Sequence, residues 1–116
     1  MAGFNAVFAG LGDNKTDFLG AIPVAMYTIT FGAADTYLTG GLALTAANFG
    51  LSRPIAGVLV VGQNTASVGQ EWNWNSQTQK LQAIQSTTGA PAAFVELANT
   101  TSIANFAMTV LVLAQR

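Results

Sequence analysis

Three features of this sequence could support chemistry: a few carboxylates, one short acidic segment, and two closely spaced tryptophans. Histidine and cysteine are both absent. Without them the chain has no thiolate nucleophile, no disulfide, no zinc finger and no histidine-dependent general base. The absence of cysteine leaves the redox compartment undetermined. Together with the small number of charges, these absences make an enzyme the least favoured functional class.

The carboxylates are too scattered to suggest a catalytic pair. Glu71 and Glu96 fall in predicted strands, whereas Asp13, Asp17 and Asp35 fall in loops or in the N-terminal segment. Hydrolysis of a glycosidic bond needs two carboxyl groups about 5–9.5 Å apart in a cleft. Nothing in the sequence brings two of these groups together. We interpret them as solvated charges or as salt-bridge partners at subunit contacts, and we predict no catalytic residue.

One acidic segment resembles the start of a calcium-binding loop. Residues 13–17 read Asp-Asn-Lys-Thr-Asp, with oxygen ligands at alternate positions. The later glycine and the closing bidentate glutamate of an EF-hand loop are missing, so a polar turn is the plainer interpretation. The pair Gly40-Gly41 belongs to no phosphate-binding pattern. We therefore predict no metal and no cofactor.

Trp72 and Trp74 are two residues apart, so they lie on the same face of a strand. An exposed pair would form a platform for sugars or for a protein partner. In a β-sandwich this spacing is more often that of an inward-facing pair in the core, and we favour that interpretation. Asn73 and Asn75 would then face outwards.

The chain that carries these residues is apolar and weakly charged. It has 116 residues, of which 51% are hydrophobic and 8% charged, and its net charge is −1. This composition excludes intrinsic disorder, and four scattered basic residues argue against nucleic-acid binding. A domain of this kind with net charge near zero tends to associate. The composition therefore indicates a subunit of an assembly.

Targeting and membrane signals are also lacking. The N-terminus has no basic region of the kind that begins a secretory signal peptide. The longest apolar runs, residues 55–62 and 103–114, fall short of the roughly 20 residues that span a bilayer as a helix. We interpret both runs as strands buried on both faces, and we predict no membrane partner.

From residue 21 onwards the residue patterns are those of strands. In the first predicted strand one face carries Ala25, Tyr27, Ile29 and Phe31. Residues 45–52 predict one short helical turn that begins after Thr45 and stops at a left-handed Gly50. The main predicted strands are residues 21–31, 55–62 (expected to be a central strand), 71–75 and 80–84 (a hairpin), 92–97, and 103–114.

About seven or eight strands separated by turn residues predict an all-β fold, an antiparallel β-sandwich with jelly-roll-like topology, over residues 21–116. Residues 1–20 differ, since they contain four glycines and six large apolar residues without a sustained period. We predict an extended N-terminal arm there, packed against its own body or against a neighbouring subunit. A disordered terminus is the alternative.

An ordered series of segments in the body matches a known pattern. It comprises residues 37–51 (with the turn Leu-Thr-Ala-Ala-Asn-Phe-Gly-Leu), 55–61, the aromatic hairpin 71–75 with 79–83, then 95–98 and 108–114. With these segments the chain resembles the small head-decoration (cement) proteins of tailed double-stranded DNA bacteriophages, over about four-fifths of its length. The motifs are structural rather than catalytic, and the same plan would serve a phage tail or fibre accessory subunit.

The resemblance implies a structural virion protein made in the host cytoplasm and placed on the outer surface of an icosahedral capsid. There it would form homo-oligomers, usually trimers, and bridge neighbouring major capsid protein subunits after the shell expands. A carbohydrate-binding sandwich that uses Trp72 and Trp74 remains a rival interpretation. Residues 1–20 match no pattern, and we expect their apolar side chains to contact the shell or a sister subunit: Phe4, Val7, Phe8, Leu11, Phe18 and Leu19.

Overall fold

The structure, a computed structural model, describes residues 4, 6–10, 17–19, 22–64, 70–86 and 94–115. Within these ranges the chain forms nine strands and a single short 3₁₀ turn, Ala46–Phe49. The strands are β1 (Val7–Gly10), β2 (Asp17–Leu19), β3 (Ile22–Thr30), β4 (Leu42–Ala43), β5 (Ile55–Gln63), β6 (Gln70–Asn75), β7 (Lys80–Ser86), β8 (Phe94–Glu96) and β9 (Ala107–Ala114).

The strands form two antiparallel sheets that pack face to face around one core. The first sheet has the order β1-β3-β9-β5. Strand β2 also pairs with β3, at its first residues, whereas β1 pairs with its last residues. The second sheet has the order β4-β7-β6, and β8 pairs with the far end of β7. The prediction of an all-β antiparallel sandwich is confirmed, whereas the jelly-roll topology stays a prediction.

Alternation along the long strands decides which side chains enter the core. In β9, Met108, Val110, Val112 and Ala114 are buried, and the residues between them are only partly buried. In β3 the alternate residues Ala25 and Ile29 are buried and Tyr27 packs against the same core, so the face that the sequence groups as Ala25, Tyr27 and Ile29 is the inward one. In each strand, the residues that alternate with the buried ones therefore face away from the core, on the outside of the first sheet.

The short turn between β4 and β5 forms where the sequence predicts it. Thr45 precedes the turn, and its backbone N–H donates to Asn48 Oδ1 at 2.8 Å. Gly50 ends the turn with φ of 67°, a left-handed conformation that glycine adopts without a steric penalty. The turn places Phe49 in the core, where its ring meets Phe8 and Tyr27 edge-on.

The predicted hairpin is confirmed as β6 and β7, but the predicted position of β5 is wrong. Among the described strands β5 pairs with β9 alone, so β5 lies at the edge of its sheet and β9 occupies the centre. Its continuous apolar run has another cause. The outward residues Leu59 and Val61 are both 55% exposed, so this edge strand is apolar on its outer face as well as on its buried face.

The described part of residues 1–20 adds strands to the first sheet. Residues Val7–Gly10 pair with Tyr27–Thr30, and residues Asp17–Leu19 pair with Ile22–Val24. Phe4 packs against Phe31, with ring centroids 5.6 Å apart. This segment therefore lies along the chain's own body where it is described, and the extension of an arm beyond the body stays a prediction.

Candidate interaction surface

The strand register brings two carboxylates into proximity that the sequence did not suggest. Glu71 on β6 and Glu96 on β8 both stand opposite Ile84 of the intervening strand β7. Glu96 is committed to a structural role, because its Oε2 accepts hydrogen bonds from the Tyr37 hydroxyl and from the Gly40 N–H, each at 2.6 Å. Glu71 is exposed. The pair therefore lacks the two free carboxyl groups that glycoside hydrolysis requires.

The aspartates give no cation site within the described ranges. Asp35 is buried, and its Oδ2 accepts from the Gly32 N–H at 3.0 Å, which fixes the turn after β3. Among the described residues no group of three or more acidic side chains lies close enough to hold a metal ion. The calcium-like segment, residues 13–17, lies outside the described residues except for the backbone of Asp17.

Tyr37 links strands β7 and β8 of the second sheet through its hydroxyl. The side chain is fully buried; it donates to Glu96 and accepts from the Ala83 N–H at 3.3 Å. Burial, followed by the hydrogen bond to the Glu96 carboxylate, raises the pKa of Tyr37 well above its ordinary value. The hydroxyl therefore stays protonated in the folded protein at alkaline pH.

This environment predicts how stability depends on pH. Above about pH 10 the unfolded chain loses the Tyr37 proton and the folded chain keeps it, so the free energy of unfolding falls as pH rises. Tyr37→Phe should lower stability at neutral pH by about 1–3 kcal/mol, because Glu96 and Ala83 lose a partner, and should flatten the alkaline fall. Urea unfolding between about pH 8 and 11 measures both effects. Tyr27→Phe is the control and should keep the steep alkaline fall in the free energy of unfolding. If this free energy fell equally steeply in the two variants, Tyr37 would not be the group responsible.

The two tryptophans face inwards. Trp72 is 2% exposed, and its ring lies 5.2 Å from that of Phe106 and 5.4 Å from that of Phe31. Trp74 is half-buried against the same core. The core interpretation is thus confirmed for Trp72, and an exposed aromatic platform for sugars does not exist at this position.

An apolar surface lies on the side of the first sheet that faces away from the core. Cross-strand partners share a face, and the register aligns Met26 of β3 with Leu111 of β9 and Leu59 of β5. We call this surface the outer face. Its residues are Val24, Met26, Thr28 and Thr30 of β3, Gly57, Leu59 and Gly62 of β5, and Ala107, Thr109, Leu111 and Leu113 of β9. We add Val61, which is exposed and precedes Gly62 at a register shift in β5.

None of the residues just named on β3, β5 and β9 carries a charge, although Asp17 of β2 stands opposite Val24 in the register. Several of the large ones reach solvent. Met26 is 42% exposed, and Leu59 and Val61 are 55% exposed. Beside them, Val7 of β1 stands opposite Thr30 and is 64% exposed. A contiguous apolar area of this kind on a small domain is typical of a surface that binds another protein.

The opposite side of the sandwich has a different chemistry. There the register of the second sheet aligns Glu71, Ile84 and Glu96 in one row and Asn75 with Lys80 in another. Asn73 stands opposite Gln82 between these rows. This side is mostly polar and charged, as expected of a surface in water, but it also carries Ile84 and Phe94, which is 73% exposed. The two sides of the sandwich therefore differ in composition, and the outer face of the first sheet is the more apolar of the two.

Side-chain size varies along the outer face. The register places Val24 opposite Leu113 and Met26 opposite Leu111 towards one end of the sheet. Towards the other end most of the paired residues are small (Thr28, Thr30, Gly62, Ala107 and Thr109), although the exposed side chains of Val61 and Val7 lie at this end too. A depression of about 340 Å³ lies there, lined by Thr28, Gly62, Gln63, Asn64, Ala107, Met108 and Thr109.

The residues expected to form the arm contact have different positions. Phe4 and Phe8 pack against this chain's own core, on Phe31 and Phe49 respectively. Val7 is exposed. Leu11 and the side chains of Phe18 and Leu19 lie outside the described residues. Their contact with a partner stays a prediction.

The residues of the outer face were not singled out from the sequence, although a signal for them was present. Residues 55–62 and 103–114 are apolar on both faces, a pattern that predicts burial on both sides. The same pattern is produced by strands whose second face is an apolar surface.

In the part of the chain that the structure describes, no helix is long and apolar enough to cross a bilayer.

Comparison with known protein families, with curated proteins and with solved structures finds no match to this chain.

Proposed function

We propose that this chain is a structural subunit that decorates the outer surface of an icosahedral phage head and holds neighbouring major capsid protein subunits together. The observation that carries the proposal is the apolar outer face of the first sheet, set against a more polar face on the other side of the sandwich. A subunit of this design binds on one side and meets water on the other. That is the arrangement an assembly protein needs.

The size of the outer face supports a role in assembly. With strands about 4.8 Å apart and a rise of about 3.3 Å per residue, three strands of roughly eight residues cover on the order of 400 Å². Burying such an area contributes roughly 10 kcal/mol before the costs of association are subtracted. Repeated over many copies, even a modest remainder stabilises a shell against internal pressure.

The specific placement on a phage head rests on the resemblance to decoration proteins of residues 37–51, 55–61, 71–75 with 79–83, 95–98 and 108–114. A homo-oligomer that bridges capsid subunits is the form that this resemblance implies. A tail or fibre subunit would use the same outer face and differs only in its location on the particle. The rival sugar-binding function needs an exposed tryptophan pair, and the 2% exposure of Trp72 argues against it.

The experiment that tests the proposal is binding to purified heads. Recombinant chain is mixed with expanded phage heads that lack it, and with unexpanded precursor shells, and the bound fraction is measured by co-sedimentation. We expect saturable binding to expanded heads alone, and a higher temperature of DNA release from the decorated heads. Absence of binding to expanded heads would refute the head function, and labelling confined to tails in electron micrographs would assign the chain to the tail.

A second prediction tests the contact of the N-terminal segment with the shell. Val7 is the exposed member of the expected contact set within the described residues. Val7→Asp should leave the fold intact because the side chain is 64% exposed, and should weaken head binding at least tenfold, since a charge would be desolvated at the contact. Val7→Thr, similar in shape and uncharged, should bind nearly as well. Undiminished binding of Val7→Asp would exclude this contact.

A further inference from the structure

Strand β5 is the longest of the described strands that lie at a sheet edge. It has 9 residues, whereas the other edge strands (β1, β2, β4, β6 and β8) have between 2 and 6. Proteins usually protect an exposed edge with a charge, a proline or a very short strand, and β5 has no charged residue and no proline. Two register shifts flank its regular stretch, residues 57–60, and limit the length over which another strand can pair.

Hydrogen bonds at the two ends of β5 define its pairing pattern with β9. At one end the Gln115 N–H donates to the Pro54 carbonyl oxygen at 2.8 Å. At the other end the Asn64 N–H donates to the Ala107 carbonyl oxygen at 3.0 Å. Hydrogen-bonded and non-hydrogen-bonded positions alternate along an antiparallel pair. Every second residue of the β9 chain, from 107 to 115, is therefore bonded to β5.

This alternation leaves two main-chain positions of β5 open to the sheet edge. Leu111 is at a bonded position, since it lies an even number of residues from both ends, and its partner in the register is Leu59. Val58 and Val60 on either side of Leu59 therefore occupy non-bonded positions, so their N–H and C=O groups point away from β9. Among the described strands none pairs with β5 on this side. The edge thus offers two donors and two acceptors at the spacing of a strand.

A groove of about 390 Å³ lies beside this edge, between β5 and β6. It is lined by residues 58–60 and 63 of β5 and by residues 70–73 of β6. Two of the lining residues hold buried polar atoms that have no hydrogen-bond partner among the described residues, the Gln70 Oε1 acceptor and the Trp72 Nε1 donor. Among the lining residues that the structure describes, Glu71 is the one that carries a charge. The groove therefore suits a neutral or basic ligand that offers both donors and acceptors.

We propose that an extended segment of a major capsid protein subunit adds to the edge of β5 as a further strand of the first sheet. The main chain of an extended peptide presents N–H and C=O groups in the alternation that Val58 and Val60 match, the binding mode called β-augmentation. This inference rests on the proposed function, which supplies the partner. It assigns the strand that the partner binds and the conformation that the partner adopts.

A peptide segment fits this edge better than a second copy of the chain. Two copies joined edge to edge through β5 would bring their β6 strands towards each other as well, because β6 borders the same groove. Each β6 carries Glu71, so such a pair would set like charges near each other. A peptide strand brings no second sheet with it, and it need only be neutral or basic where it passes Glu71.

The test is amide hydrogen exchange of the full chain, free and bound to expanded phage heads. After exchange the heads are dissolved in acidified dimethyl sulfoxide, and the retained amide protons are measured by NMR. In the free chain the Val58 and Val60 amides should exchange fast and the Leu59 amide slowly, because the Leu59 amide is bonded to β9. On heads, exchange at Val58 and Val60 should slow at least tenfold, and exchange at Leu59 should change little.

Val60→Pro tests the same contact by mutation. It removes an N–H that points to the edge and leaves the hydrogen bonds between β5 and β9 in place, a position at which strands tolerate proline. Val60→Thr is the matched control, because threonine is also β-branched and keeps the N–H. Val60→Pro should bind heads at least tenfold more weakly than Val60→Thr. Far-UV circular dichroism checks that both are folded, and the exchange pattern of the wild type decides the question if the proline variant is not.

Other results would overturn the inference in distinguishable ways. Binding to heads without slower exchange at Val58 and Val60 would place the contact elsewhere and leave the proposed function standing. Slow exchange at both amides in the dilute free chain would mean that the chain covers its own edge, and slowing with rising concentration of the free chain would assign the edge to a second copy. Equal binding by Val60→Pro and Val60→Thr would contradict strand addition. Absence of binding to expanded heads would refute the proposed function and with it the partner.

Discussion

Trp72→Ala should lower the free energy of unfolding by about 3–5 kcal/mol, the range found for removal of a large aromatic side chain from a core. Trp72 is 2% exposed and lies at the centre of the aromatic cluster that joins the two sheets. Its ring meets those of Phe31, Tyr37 and Phe106 at centroid distances between 5.2 and 5.8 Å. Removing it leaves a cavity between rigid sheets that cannot close fully. Urea unfolding followed by far-UV circular dichroism measures the loss.

Trp72→Phe separates ring volume from hydrogen bonding. The indole Nε1 of Trp72 is buried and has no hydrogen-bond partner among the described residues. Phenylalanine removes this unsatisfied donor along with part of the volume, so it should cost clearly less than alanine. Asn73→Ala, one residue along on the exposed side of β6, should change stability by no more than about 0.5 kcal/mol. A loss for Trp72→Ala as small as that for Asn73→Ala would contradict the position of Trp72 in the core.

Gly41→Ala is expected to have a similarly large effect for a backbone reason. Gly41 has φ of 99°, a conformation that residues with a Cβ rarely adopt. A Cβ there would overlap the Leu81 carbonyl oxygen and stand 2.9 Å from the carbonyl carbon, both of them backbone atoms of a buried strand. The strain of the dihedral and the displacement of β7 together should cost about 2–4 kcal/mol.

Gly40→Ala is the matched control for Gly41→Ala. Gly40 has the same φ of 99°, but a Cβ there would meet only the flexible Lys80 side chain, at 3.5 Å from Nζ. This variant therefore carries the dihedral strain alone, about 1–2 kcal/mol. The difference between the two variants in thermal unfolding measures the close approach of Gly41 to Leu81. Equal losses would mean that this approach is not part of the folded state.

Local features of the fold could be predicted from the sequence, because neighbouring residues determine them. Thr45 and Gly50 mark the ends of the short turn through their own backbone preferences. Strict alternation in residues 71–75 indicates a strand, and the turn that follows returns it as a hairpin. Trp72 could be assigned to the core because its spacing from Trp74 is that of one face of a strand.

The position of β5 and the outer face could not be predicted in this way. A run that is apolar at every position fits a central strand and equally an edge strand with an apolar outer face. Only the pairing with β9, which is distant in sequence, decides between them. The hydrogen bond from Tyr37 to Glu96 spans 59 residues and has no local signature. The apolar outer face emerges only when the three strands are placed in register.

The measurement that tests the central claim most directly is the solvent exposure of the Met26 methyl group. The chain has three methionines; Met26 lies on the outer face and is 42% exposed, whereas Met108 is buried at 1%. With ¹³C-methyl-methionine labelling, a soluble paramagnetic agent broadens signals of exposed methyl groups. On sedimented decorated heads the Met26 signal should become protected relative to the free chain, and the protected Met108 signal should not change. A Met26 methyl that stays equally accessible on decorated heads would show that the outer face is not a binding surface.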